Sequence, residues 1–259
     1  MLTFPEIDPV IFRLGPVAVR WYGLMYLIGF ACSYSLIRFR LNRERKVLGD
    51  KQLEDLYFIM IVGLVVGARV GYMFFYNMKE LLANPLSLFL VWQGGMSFHG
   101  GLVGATLSVV WFCRKHALSF LDITDMVVIT APIGLGLGRL GNFINGELWG
   151  RPSGVPWAMI FPGAGLHARH PSQLYELGLE GILLFMLLWF LRKRFSGTGQ
   201  MSALFLILYG VFRSLAEFFR EPDPQLGFLF EVITMGQLLS CIMIVAGVYI
   251  FFSSGRRAS

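Results

Sequence analysis

Residues 121–150 read LDITDMVVITAPIGLGLGRLGNFINGELWG. The run is mostly apolar and glycine-rich as far as Leu137, a composition typical of a membrane-spanning helix. Polar and charged residues then follow within a short distance: Arg139, Asn142, Asn145 and Glu147. A charge in hydrocarbon costs from about 3 to well over 10 kcal/mol, so such groups are seldom kept for stability alone. The stretch therefore predicts a membrane helix that ends in a site for a polar ligand.

The composition of the whole chain also indicates a membrane protein. Of its 259 residues, 56% are hydrophobic and 15% are charged, which is too apolar for an ordinary soluble domain. The net charge is +6, but the basic residues form short clusters between apolar runs, which excludes the basic face of a nucleic-acid-binding protein. Cys32, Cys113 and Cys241 lie within apolar runs, where we expect buried thiols. The N-terminus lacks the pattern of a cleavable signal peptide, so we expect insertion through the first internal span.

Apolar runs recur along the chain at the length of about 20 residues that crosses a bilayer. We predict an all-α polytopic integral membrane protein with a single membrane domain, residues 1–259. Seven runs qualify as spans, at residues 19–37, 56–76, 86–113, 121–140, 174–191, 201–219 and 232–252. The connection 142–172 contains several prolines and glycines, which predicts a small periplasmic cap rather than a helix.

The basic clusters indicate the orientation of these spans. They follow the first, third, fifth and seventh spans, at residues 38–51, 114–115, 192–194 and 256–257. Because basic connections stay on the cytoplasmic side, we expect the N-terminus outside and the C-terminus in the cytoplasm. With a rise of about 1.5 Å per residue, Arg69, His99, Arg139 and Arg213 then fall in the outer half of the membrane. We predict that His99, Arg139 and Arg213 share one cavity open to the outer leaflet.

Each of these polar residues also has a structural interpretation. Arg69 lies on a helix whose glycines predict close packing, so a structural role as a snorkelling or paired side chain is as good an interpretation as a functional one. His99 is flanked by glycine pairs and is either a core histidine bonded to a neighbouring helix or an acid, base or hydrogen-bond donor. Tyr209, Arg213 and Glu217 repeat every four residues on one helix face. Such a pair is worth only a few tenths of a kcal/mol in water, and at membrane depth this face more often lines a wet cavity.

Arginine presents a planar fork of donors that matches phosphate oxygens two at a time. Arginines at headgroup depth, with Tyr22, Asn142 and Asn145 as neutral donors nearby, therefore predict a receptor for a phospholipid phosphate. We expect no metal and no cofactor. The acids Glu147, Glu176 and Glu217 are dispersed along the sequence, and no two histidines have ligand spacing.

Six stretches together resemble one known family. They are FPEIDPVIF (4–12), RWYGLMYLIGF (20–30), GGMSFHGGLVG (94–104), GRLGNFINGELWGRPS (138–153), RHPSQLYE (169–176) and YGVFRSLAEFFREPD (209–223). They are similar to the bacterial phosphatidylglycerol:prolipoprotein diacylglyceryl transferases, and the similarity extends over nearly the whole chain. The resemblance implies an inner-membrane enzyme, with its active site toward the periplasmic leaflet. It would move the diacylglyceryl group of phosphatidylglycerol onto the lipobox cysteine of a prolipoprotein signal peptide and release glycerol phosphate, the first step of lipoprotein maturation.

The resemblance also implies the site residues. They are Tyr22, His99, Arg139, Asn142, Glu147, Gly150, Tyr209, Arg213 and Glu217. As a hypothesis, Arg139 and Arg213 bind the phosphate and stabilise the leaving oxygen. Glu147 and Glu217 orient the arginines. Either His99 or a water organised by the arginines accepts the thiol proton.

Two other functions compete with this hypothesis. Ser97 and His99 are also compatible with an intramembrane serine protease. However, residues two apart on a helix point in different directions, and the sequence contains no GxSxG elbow. A carrier for anionic lipids would also use arginines at this depth, although the inverted repeat of many carriers is not visible in the sequence.

Overall fold

The computed structural model describes residues 2–5, 7–15, 17–43, 47–195, 197–221, 228–229 and 233–255. In these residues four helices are long and apolar enough to cross a membrane, and a bent pair makes a fifth if it is one span. The four are Trp21–Arg43, Asp50–Tyr76, Ser172–Leu191 and Met235–Ser254, and the pair is Phe120–Val127 with Ala131–Ile144. The prediction of a helical polytopic membrane protein is therefore confirmed. The number of seven spans, their orientation and the single membrane domain stay predictions.

Ten helices are described. They are α1 (Trp21–Arg43), α2 (Asp50–Tyr76), α3 (Met78–Ala83), α4 (Phe98–Lys115), α5 (Phe120–Val127), α6 (Ala131–Ile144), α7 (Ser172–Glu176), α8 (Leu184–Leu191), α9 (Gln200–Glu217) and α10 (Met235–Gly255). A π-helical stretch, Leu177–Leu183, joins α7 to α8 in one continuous helix. The basic cluster at residues 256–257 and the start of the seventh predicted span, residue 232, lie outside the described residues.

The strands are short and form pairs. They are β1 (Leu2–Thr3), β2 (Val10–Leu14), β3 (Val17–Arg20), β4 (Met159–Ile160), β5 (Phe228–Leu229) and β6 (Ile233–Thr234). Strand β1 pairs with β4 in parallel, whereas β2 with β3 and β5 with β6 are antiparallel. The parallel pair ties the N-terminal segment to the connection between α6 and α7.

The chain divides into two compact units, Met1–Ile37 with Thr124–Ser259, and Arg38–Ile123. In the second unit, α2 and α4 pack through glycines at closest approach. A Cβ on Gly67 would lie 2.4 Å from the carbonyl oxygen of Gly100, and a Cβ on Gly104 would lie 2.0 Å from that of Gly63. The close packing expected for this glycine-rich helix is confirmed.

One predicted span is wrong in its extent. Residues 86–113 do not form one helix, because the chain makes 3-10 turns at Pro85–Phe89 and Val91–Gln93 before α4 begins. Gly94 and Gly95 have φ angles of 85° and 77°, which a helix does not allow. The Ser97 hydroxyl accepts a bond from the Gly100 N–H at 3.3 Å and caps α4. This cap gives Ser97 a structural role in place of the nucleophile of a serine protease.

In the first unit, an apolar cluster joins the helices around the candidate site. Its buried members are Ile129, Leu184, Leu188, Met201 and Phe212. Near this cluster, α6 and the π-helical stretch approach closely, since a Cβ on Gly181 would lie 2.7 Å from the Gly136 Cα. The predicted cap, residues 142–172, forms no helix between Ile144 and Ser172, as its composition indicates. Of the cysteines, Cys113 is buried, whereas Cys32 and Cys241 are exposed on apolar helices. The expectation of burial is therefore wrong for two of the three thiols.

Candidate active site

Two glutamates on the helix Ser172–Leu191 form the base of the candidate site. Glu176 ends α7 and Glu180 lies one turn later, within the π-helical stretch. Both residues are fully buried, at 0% exposed. Buried carboxylates need cationic or hydrogen-bonding partners, and these come from α6 and α9.

Arg139 of α6 contacts both carboxylates. Its Nε lies 2.7 Å from Glu176 Oε2, and its Nη2 donates to Glu180 Oε2 at 3.5 Å. Within the described residues, its Nη1 makes no hydrogen bond or ion pair. One edge of the guanidinium is therefore held by protein carboxylates, and one nitrogen is left for another partner.

Arg213 of α9 joins the same two acids from the other side. Its Nη1 lies 3.2 Å from Glu176 Oε2 and 3.7 Å from Glu180 Oε1. Its Nη2 lies 2.8 Å from Glu217 Oε2, one turn further along α9. The pairing of Arg213 with Glu217, expected from their spacing, is confirmed. Arg220 completes the group, with its Nη1 3.8 Å from Glu176 Oε2.

Accessibility divides this cluster into an inner and an outer layer. The side chains of Arg139 and Arg213 are 18% and 13% exposed, whereas those of Glu176 and Glu180 are 1% and 0% exposed. The arginines thus lie between the carboxylates and the accessible space. An anion that reaches this region meets guanidinium groups first.

The loop after α6 has its own polar network. Asn142 and Asn145 each donate through Nδ2 to Glu147 Oε1, at 2.8 and 3.1 Å. Gln173 Nε2 donates to the Glu147 carbonyl oxygen at 2.7 Å, which ties the loop to α7. In the described part of the chain Glu147 contacts these asparagines and none of the arginines. The expectation that Glu147 orients the arginines is wrong, and this contact is made by Glu176 and Glu180 together with Glu217.

Gly150 lies where the loop meets the end of α9. Its N–H donates to the His170 carbonyl oxygen at 2.9 Å, and a Cβ at this position would lie 2.4 Å from the Phe219 carbonyl oxygen. Arg169 Nη1 donates to the Gly150 carbonyl oxygen at 3.2 Å. The structure thus gives this glycine a packing requirement, because any side chain would separate the loop from the end of α9.

Tyr22 and Tyr209, both predicted as site residues, lie in the first unit near Arg139. The Tyr22 ring packs on α6 so closely that a Cβ on Gly141 would lie 2.8 Å from its Cδ2. Its hydroxyl is 3.2 Å from that of Tyr26. Tyr209 lies one turn before Arg213 on α9 and stacks on Phe205, with ring centroids 5.7 Å apart.

The second unit contains the other two candidates. His99 is the second residue of α4, and its side chain is exposed. Its ring contacts Phe98 edge-to-face and makes no hydrogen bond within the described residues. The interpretation as a core histidine bonded to a neighbouring helix is therefore wrong. Its participation in the chemistry stays a prediction.

Arg69 is a buried structural residue of the second unit and does not snorkel. It is 5% exposed and donates to four backbone carbonyls, those of Ser87, Leu88, Gly94 and Gly95. Arg69 therefore holds the irregular segment that precedes α4 in place. These contacts favour the structural interpretation of Arg69 as a paired side chain.

Glu176 and Glu180 are the site residues that sequence reasoning missed. Glu176 and Glu217 are dispersed in the sequence, yet both contact Arg213. The available signal was a pair of glutamates four residues apart inside an otherwise apolar helix of spanning length, since charges in such a helix need partners.

The chain is similar along its length to proteins of one family. A family model described as prolipoprotein diacylglyceryl transferase matches residues 9–253. A Bordetella avium protein is 53% identical over 100% of this chain and 99% of its own length, and a Coxiella burnetii protein is 53% identical over 95% of each. A Pseudomonas aeruginosa protein is 48% identical over 99% of this chain and 97% of its own. Each is named phosphatidylglycerol–prolipoprotein diacylglyceryl transferase.

Proposed function

Since the chain belongs to the prolipoprotein diacylglyceryl transferase family, we propose that it transfers the diacylglyceryl group of phosphatidylglycerol to a prolipoprotein. The acceptor is the sulfur of the lipobox cysteine, and glycerol phosphate is released. The observation that carries this proposal is the similarity over the full chain to relatives of that name. The partly accessible arginine pair on buried carboxylates supports it, because the reaction needs a site for a phosphate.

The atoms of the reaction define what the protein must supply. The cysteine S–H loses its proton, a bond forms between sulfur and a glyceryl carbon, and the bond from that carbon to the phosphate oxygen breaks. A thiol is a poor nucleophile until it is deprotonated. Charge also increases on the departing phosphate, so the site needs a proton acceptor and fixed positive groups at the leaving oxygen.

Arg139 and Arg213 are suited to the departing phosphate. The contacts to Glu176, Glu180 and Glu217 hold both guanidinium groups before a ligand arrives. A donor that is already oriented does not have to reorganise during the reaction, which is the main source of electrostatic stabilisation of a transition state. The uncontacted Nη1 of Arg139 is our candidate for a direct bond to a phosphate oxygen.

We propose that the other predicted site residues act around this centre. Either His99 or a water held by the arginines accepts the thiol proton. Tyr22, Asn142, Asn145 and Tyr209 position the lipid, and Gly150 holds the loop against the end of α9.

We propose two further spans in addition to those identified by length and composition. Helices α4 and α9 have 18 residues each, close to the minimum for a span. With α1, α2, the α5–α6 pair, α7–α8 and α10 they make seven. The N-terminus lies outside the cytoplasmic membrane of a bacterium, and the connection 142–172 caps the periplasmic side.

The function is tested with purified protein, phosphatidylglycerol and a synthetic peptide that carries a lipobox cysteine. Mass spectrometry should find a thioether-linked diacylglyceryl group on the peptide, with release of an equal amount of glycerol phosphate. A peptide with serine in place of the cysteine is the matched control and should remain unmodified. Absence of the thioether across several detergents and lipid mixtures would contradict the proposal, whereas lipid movement without it would favour a carrier.

A further inference from the structure

The charges in the arginine cluster do not favour an additional anion. Arg139 and Arg213 contact three carboxylates between them, those of Glu176, Glu180 and Glu217. Arg220 approaches Glu176 only at 3.8 Å. Even with Arg220 included, the three positive charges do not exceed the three negative charges. The cluster has no surplus positive charge to offer a phosphate.

This balance is a problem for a site that binds a phospholipid. The phosphodiester of phosphatidylglycerol brings one more negative charge to a region where both inner acids are fully buried. Screening by water is weak there, so an uncompensated charge is costly. Neutralising one carboxyl group by a proton restores the balance without moving any part of the protein.

Among the three acids, Glu180 has the weakest contacts in its ionised form. Its nearest guanidinium nitrogens are at 3.5 and 3.7 Å. Glu176 and Glu217 have contacts of 2.7 and 2.8 Å. A protonated Glu180 therefore gives up the least attraction, and its position behind the arginines keeps the proton away from solvent.

We infer that binding of the phosphatidylglycerol phosphate at Arg139 and Arg213 takes up one proton, and that Glu180 holds it. This inference rests on the proposed function, because it assumes that the lipid phosphate is the ligand of the arginines. The phosphate takes the place of a carboxylate as their negative partner, and the neutral carboxyl group remains in the buried layer. Lipid affinity then falls as pH rises, since the proton that accompanies binding becomes scarcer.

Among the described groups that face Glu180, the arginines and the tyrosine do not accept a proton near neutral pH. From α6 it faces Arg139, and from α9 it faces Arg213 and Tyr209. Arginine stays charged and tyrosine stays neutral in this range. On its own helix it faces Glu176, which contacts the same two arginines. Arg220 also lies near Glu176, and Glu217 contacts Arg213. The proton is thus left to a carboxyl group, and of the three acids Glu180 lies farthest from its nearest guanidinium groups.

The test measures the dissociation constant for phosphatidylglycerol between pH 5.5 and 8.5, without peptide so that no turnover occurs. The phosphodiester does not titrate in this range, so any slope belongs to the protein. We expect the wild-type constant to rise by up to about tenfold per pH unit, the limit for one linked proton. Glu180→Gln mimics the neutral acid and should bind with the low-pH affinity at every pH. Glu54→Gln, an exposed acid of α2, is the matched control and should keep the wild-type slope.

A second measurement uses only the wild type, so it does not require that a variant folds. Calorimetric titration of the wild type in two buffers with different ionisation enthalpies gives the number of protons taken up, which should approach one. A pH-independent affinity, no proton uptake, or an unchanged slope in Glu180→Gln would each overturn the inference. If Arg139→Gln binds phosphatidylglycerol as the wild type does, the arginine site of the proposed function is wrong instead.

Discussion

The Nε of Arg139 lies 2.7 Å from Oε2 of Glu176, a contact between α6 and α7 in the interior of the first unit. The same carboxylate oxygen lies 3.2 Å from Nη1 of Arg213 on α9. One buried oxygen thus joins three helical segments. A buried ion pair contributes little net stability compared with an apolar replacement, but losing one partner leaves an uncompensated charge. The position of both arginines therefore depends on Glu176.

Replacing Glu176 with alanine should destabilise the fold strongly. Removing one partner of a buried pair costs about 3–5 kcal/mol, because the charges that remain are buried without compensation. Thermal or denaturant unfolding in a fixed detergent measures the change. Glu54→Ala removes an exposed acid and should stay within about 0.5 kcal/mol of wild type. Equal stabilities of the two variants would show that Glu176 does not organise the cluster.

Arg139→Lys should lose most activity although the charge is kept. A lysine supplies a point charge and cannot contact Glu176 and Glu180 while presenting a further nitrogen. We expect kcat/KM to fall by about 10²–10³, the usual loss for one transition-state donor. Arg43→Lys, an exposed change in the last turn of α1, is the control and should keep wild-type rates. Near-normal turnover in Arg139→Lys would show that a positive charge at this position is sufficient and that the guanidinium group is not required.

Gly150→Ala should disrupt the junction between the loop and the end of α9. The new Cβ would lie 2.4 Å from the Phe219 carbonyl oxygen and 2.8 Å from that of His170, so the backbone must move. Overpacking of this kind costs roughly 1–3 kcal/mol, and turnover should fall with the displaced loop. Gly154→Ala is the matched control, because no atom lies within 4 Å of its Cβ. The prediction fails if the two variants unfold at the same temperature.

His170 should make stability depend on pH below neutrality. Partial burial lowers the pKa of its imidazole, and its Nδ1 lies 3.0 Å from the Tyr175 hydroxyl. The unfolded chain then binds a proton more readily than the folded chain as pH falls below about 6.5. Stability attributable to this group is present above that pH and lost below it. The difference in unfolding temperature between wild type and His170→Gln, measured at pH 5 and 7.5, should change in that direction; an unchanged difference would exclude this linkage.

The sequence predicted contacts within one helix better than contacts between helices. Arg213 and Glu217 are four residues apart, and helix geometry alone brings them to the same face. Arg139 and Glu180 are separated by 41 positions, and their contact depends on how α6 packs against the π-helical stretch. No local spacing indicates that packing, so the acids that hold the arginines were missed. Glu147 lies close to Arg139 in the sequence, yet its neighbours in space are Asn142 and Asn145.

The third predicted span was wrong for a different reason. A glycine pair within it allows an irregular backbone, but the apolar composition outweighed that local pattern. The run 86–113 is apolar enough for a single helix. Gly94 and Gly95 adopt positive φ angles, and Arg69 binds their carbonyl oxygens, which keeps the segment irregular. A glycine pair allows such backbone conformations. Counting apolar residues placed a helix over it because hydropathy does not register backbone conformation.

Replacement of His99 with glutamine tests whether His99 is the base or only donates a hydrogen bond to the lipid headgroup. Glutamine keeps a hydrogen-bond donor but cannot accept a proton, so a base is lost while headgroup bonding is kept. If His99 is the base, kcat should fall by about 10²–10³ with little change in KM for phosphatidylglycerol. Turnover that survives nearly intact would assign proton removal to a water held by Arg139 and Arg213.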